Sequence, residues 1–185
     1  MIFQFDAVQL APLIVLAESR NTFKAGARAK NRKIADNQSD FEVMLSGLMG
    51  EFAVSRVLKV PFNSAHHLGG DGGSDLNIKG KRVQIKTSKT DSLIFNRDDR
   101  RLKADVCVLV QTLGPSRVEI HGWCTRGEFY SQCQERDFGY GMRDVVEAHK
   151  LQPIDTLFEV DELTSHEARF KMDVLLRDRA RRMTS

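Results

Sequence analysis

The sequence predicts an α/β domain: a small mixed β-sheet flanked by helices, with a helical segment before it and a helix after it. Three observations carry this. Apolar residues recur at helical spacing before residue 60. They alternate at strand spacing between residues 75 and 123, and a helix-start signal returns near the end of the chain. Length and composition agree, because 185 residues suit one domain and 41% hydrophobic with 29% charged residues suit a folded core. Three parts are expected within it: a helical and basic segment (1–38), a core (39–160) and a basic C-terminal helix (161–185).

In order along the chain, residues 6–19 read as a helix with Val8, Leu13, Ile14 and Ala17 on its buried face. Its apolar stretch, Leu10 to Ala17, contains Pro12 and is too short to span a bilayer, so no membrane partner is expected. A basic stretch follows, with Lys24, Arg28, Lys30, Arg32 and Lys33 and no acid from Asn21 to Ile34. It reads equally as a solvated face and as a clamp on phosphates. Ser39-Asp40-Phe41-Glu42 is a capping box opening a helix that buries Phe41, Leu45, Leu48 and Phe52. Gly47 and Gly50 are poor helix formers, so their expected use is close approach to a sheet or substrate. Glu51 follows Gly50.

Pro61 ends that helix, and Gly69-Gly70-Asp71-Gly72-Gly73 demands an unusual backbone path. Asp75 to Ile78 reads as a short strand, Lys79-Gly80 as a hairpin turn, and Arg82 to Thr87 as the returning strand. Ala104 to Gln111 and Arg117 to Trp123 read as two more strands, and Glu128 to Gln134 as a short helix. Leu157 to Val160 is expected to be extended. Thr164 to Glu167 is a further capping box, opening a last helix that ends in Arg177, Arg179, Arg181 and Arg182. Cations there suit the helix dipole, with DNA contact as an addition.

The three cysteines are odd in number and form no CxxC pair, which excludes a disulfide framework and a cysteine zinc site. A reducing, intracellular (cytoplasmic) setting is expected. The net charge of +3 is too small to imply a nucleic-acid partner by itself.

The chemistry gathers around one hairpin. Residues two apart on a strand share a face, so Gln84 and Lys86 point together while Val83, Ile85 and Thr87 point away. Asp75 lies opposite them at the hairpin's open end. A carboxylate, an amide oxygen and an ammonium thus converge, the Ile85 carbonyl adds another oxygen, and Glu51 could complete the shell. Such oxygens suit Mg²⁺, which polarises a phosphate and lowers the pKa of an attacking water. Lys86 would add fixed charge where negative charge develops.

Helix with Gly50-Glu51, Gly-rich turn, Ser74-Asp75, then Gln84-Ile85-Lys86 on the next strand: this order resembles the PD-(D/E)XK nucleases over residues 39–125. The resemblance implies a restriction-endonuclease-like core and a Mg²⁺- or Mn²⁺-dependent DNA endonuclease, of the kind found in phage, prophage and restriction systems. Asp75, Gln84, the Ile85 carbonyl and Glu51 would hold the metal, and Lys86 would orient water. Two positions depart from the pattern. Serine replaces proline before Asp75. Glutamine replaces an acid at position 84, as in Mrr-type restriction enzymes and the Tn7 transposase endonuclease subunit, and a neutral amide ligates a cation more weakly. Arg82, Thr87, Ser88, Lys89, Lys30, Arg32 and Lys33 are the expected DNA contacts, and a homodimer would supply two symmetric sites.

Each residue also has a plainer reading. Asp75 and Asp71 serve as turn caps, Glu51 as an exposed helical acid, and Lys86 as a surface lysine. His66 and His67 are adjacent and share no face, so they do not form a metal pair. Trp123 reads as core. Two alternatives to the nuclease therefore stay open: a nuclease-fold DNA-binding module that cleaves weakly or not at all, and a small interaction or regulatory protein.

Overall fold

The computed structural model describes residues 1–26, 39–62, 64, 74–96, 102–139 and 141–159. The expectations for Arg28, Lys30, Arg32, Lys33, His66, His67, the glycine-rich turn with Asp71 and the C-terminal helix fall outside them.

The chain is a mixed α/β structure. In order it contains β1 (Ile2–Gln4), α1 (Ala7–Gly26), α2 (Asp40–Val57), β2 (Leu76–Ile78), β3 (Lys81–Ser88), β4 (Ser92–Asn96), β5 (Val106–Gly114), β6 (Arg117–Thr125), α3 (Arg126–Gln132), β7 (Gln134–Asp137) and β8 (Met142–Glu147). Short 3₁₀ helices cover Ala148–Lys150 and Ile154–Glu159. Five strands form one sheet in the order β1-β6-β5-β3-β2, and three form a second in the order β4-β8-β7.

The β2–β3 hairpin follows its turn chemistry. Lys79 and Gly80 both adopt positive φ, at 49° and 79°, as the type I′ form of a two-residue hairpin loop requires. The Asn77 side chain accepts a hydrogen bond from Gly80 N–H at 3.1 Å. The register then pairs Leu76 with Val83 and Ile78 with Lys81. β3 runs parallel to β5, so the chain must cross over between them, and β4 lies in that crossover. Val106 to Val110 are all buried, because β5 sits mid-sheet with both faces covered.

Two cores result. Leu13, Ala17, Leu48, Phe52, Val83, Ile85 and Val108 join α1 and α2 to one face of the larger sheet. Leu93, Phe95, Cys107, Leu109, Cys124, Phe129 and Val146 join the other face to the smaller sheet and α3.

The Ser39–Glu42 capping box is present as expected. Several boundaries are corrected. Val8 is 83% exposed: α1 buries Leu13 and Ala17, and its first turn projects past the core. β1, β4, β7 and β8 were not anticipated. α3 starts at Arg126, ahead of Glu128, because Thr125 and Glu128 form a second capping box. Residues 157–159 are 3₁₀ rather than extended. The Trp123 indole N–H bonds to the Pro153 carbonyl at 2.9 Å and to Thr156 Oγ1 at 3.1 Å, which folds this segment over the tryptophan.

Candidate active site at the open end of the β2–β3 hairpin

Asp75 stands just before β2, with its backbone N–H on the Val83 carbonyl at 2.8 Å. Its side chain then turns along the strand edge, where Oδ2 accepts the Ile85 N–H at 2.5 Å. Successive peptide groups of a strand alternate edges, so the Ile85 carbonyl leaves β3 on this same edge, past the end of β2. Gln84 and Lys86, both half-buried, leave the face opposite α2. The Lys86 ammonium lies 5.0 Å from the centre of the Phe95 ring on β4.

Gln84 is paired with Cys107 across the β3–β5 ladder. Burial pushes the Cys107 thiol up to about 12, with Lys86 and Arg126 pulling it down and Asp75 pushing it up. The thiol therefore stays protonated and is no nucleophile.

Glu51 arrives differently. It follows Gly50, a close approach of α2 to β3, where any Cβ would collide with Thr87 Oγ1. The helix carrying Glu51 thus covers the face opposite Gln84 and Lys86, and Glu51 itself is half-buried. Among the described residues, no three His, Cys, Asp or Glu side chains gather as a metal site. A cation here would rely on the Gln84 amide and the Ile85 carbonyl as well as carboxylate.

The expected DNA contacts separate. Thr87 faces α2, and its Oγ1 is buried without a hydrogen-bond partner. Arg82 is engaged by Asp105 through its backbone N–H at 3.0 Å and its guanidinium at 3.3 Å. Burial raises the Asp105 carboxyl, but the Arg82 hydrogen bonds and the Arg82 and Arg126 charges outweigh it, leaving a lowered pKa. Ser88 Oγ accepts the Thr90 N–H at 3.1 Å, closing the turn after β3. Lys89 is exposed there, and its carbonyl accepts the Gln111 side chain at 3.1 Å. Lys79, in the hairpin turn, donates to the Phe158 carbonyl at 2.9 Å.

Sequence reasoning missed Phe95 and Asp105. The short apolar, β-branched and aromatic run Leu93-Ile94-Phe95 between polar Ser92 and Asn96 is a strand signal that could have found the first. The second is a long-range ion pair with no local signature. Among the described residues no helix is long and apolar enough to cross a membrane. Compared with protein families, curated proteins and solved structures, the chain matches none.

Proposed function

We propose that this chain is a metal-dependent DNA nuclease of the PD-(D/E)XK type that hydrolyses internal phosphodiester bonds. The observation that carries the reading is the seat of Asp75, fixed on the Ile85 N–H at the point where Gln84 and Lys86 leave the same strand. Asp75, Gln84 and the Ile85 carbonyl offer the hard oxygens that Mg²⁺ or Mn²⁺ takes. Bound there, the cation would polarise the phosphate and acidify water. Lys86 would hold fixed positive charge against the negative charge of the transition state. Lys89, exposed at the end of β3, is the best-placed backbone contact among the described cations. Two copies acting on opposite strands would sever a duplex.

The second reading keeps the fold as a DNA-binding module that cleaves weakly. It is favoured by the amide at Gln84 and by the lack of a three-acid cluster among the described residues.

Supercoiled plasmid incubated with Mg²⁺ or Mn²⁺ separates these. The nuclease reading expects nicking or linearisation, reduced at least about a hundredfold in Asp75→Ala and in Lys86→Ala. DNA binding without cleavage would select the binding module. Neither binding nor cleavage would remove nucleic acid from consideration and leave the interaction protein.

A further inference from the structure

We infer that Phe95, on the smaller sheet, is a positioning residue for Lys86. The inference rests on the nuclease reading above and adds a part to it. A lysine side chain has four rotatable bonds, and an ammonium at the end of one covers a wide volume unless something stops it. Here the stop is a ring: Lys86 Nζ lies 5.0 Å from the Phe95 centroid, within the range where the negative face of an aromatic ring attracts a cation.

The ring is itself held. Phe95 is 5% exposed, and its ring meets that of Phe129 in a T-shaped contact at 4.9 Å between centroids. Phe129 is 1% exposed on α3, whose start is fixed by the Thr125–Glu128 capping box. A chain of rigid contacts therefore runs from α3 through Phe129 and Phe95 to the ammonium. It gives the smaller sheet, which resembles no part expected from the sequence, a role at the site. The plainer alternative is that the ring only packs against the lysine methylenes. In that case its shape would matter and its charge distribution would not.

The experiment compares wild type, Phe95→Leu and a chain carrying 3,4,5-trifluorophenylalanine at position 95. The fluorinated ring keeps the size and burial of phenylalanine but loses most of its negative face, so it tests the attraction separately from the packing that the leucine variant also changes. Plasmid cleavage with Mn²⁺ gives kcat and KM for each. Proton NMR reads the ε-methylene of Lys86, which a ring beneath it shifts upfield. The expected result is an upfield-shifted wild-type signal, lost in Phe95→Leu, with kcat falling about tenfold in both variants at unchanged KM. Wild-type kcat with the fluorinated ring overturns the inference, and so does an unshifted Lys86 signal in wild type. A shifted signal in a wild-type protein that cleaves nothing overturns the nuclease reading instead, and reduces the Phe95–Lys86 contact to packing.

Discussion

On one side of β3, Val83 and Ile85 are buried beneath α2 and Thr87 meets the backbone of Gly50; on the other, Gln84 and Lys86 stay half-buried beside the smaller sheet. Both sides are covered, but by different means. The first is closed by a long helix packed directly on the strand. The second is closed by β4, which follows β3 directly, together with the sequence-distant β8 and α3, and it leaves room for polar groups at its border. A two-residue period along one strand thus divides packing from candidate chemistry, and each side can be broken separately.

The largest effect is expected on the second side. Phe129 is almost wholly buried and touches the Phe95 and Tyr130 rings at 4.9 and 5.5 Å between centroids. Phe129→Ala removes the centre of the core that joins the two sheets, and should cost about 3–5 kcal/mol by urea unfolding. A loss below about 1 kcal/mol would mean that the smaller sheet is not held through this ring.

The first side is tested at Gly50. In a free helix, replacing glycine by alanine gains about 1 kcal/mol. Here the added Cβ would collide with Thr87 Oγ1, on a β-branched side chain with little freedom to swing aside. Gly50→Ala should therefore destabilise by about 1–3 kcal/mol. Adding Thr87→Ala removes the obstructing atom and should restore most of the loss, a coupling that a double-mutant cycle measures. Additive effects would show that the helix does not approach the strand so closely.

These two sides differ in how far the sequence disclosed them. The α2 side was legible because its signals are local: the Ser39–Glu42 box marks the helix start, Gly50 marks close approach, and Val83 and Ile85 alternate with polar neighbours; Gly47, expected to do the same as Gly50, instead faces open space. The β2–β3 hairpin was legible for the same reason, since Lys79-Gly80 dictates the turn and the turn dictates the register that sets Asp75 beside Ile85. The other side was not. β4, β7 and β8 are short, and β7 is wholly exposed and polar, as Gln134-Glu135-Arg136-Asp137. Such an edge strand carries no apolar pattern. The Phe95–Lys86 contact and the Arg82–Asp105 pair join residues whose proximity only the completed fold creates. Arg82 read as a phosphate contact because its partner, Asp105, lies on another strand's threshold.

That ion pair gives the smallest effect, at the far end of β3. The Asp105 side chain is 35% exposed, so solvent screens much of its interaction with Arg82. Although burial opposes it, the carboxyl titrates below its ordinary value of 3.8 in the folded chain. Its contribution is then fully present above the unfolded value and is lost as the pH falls through the lower folded one. Asp105→Asn should accordingly be less stable than wild type at pH 7, by under about 1 kcal/mol, because the amide still accepts from Arg82 but carries no charge. The gap between the two urea curves should narrow only below about pH 4, where the unfolded carboxyl begins to take up protons ahead of the folded one. A gap that is unchanged between pH 7 and pH 2 would assign the loss to packing around the asparagine. It would also return Arg82 to the set of cations open to a phosphate.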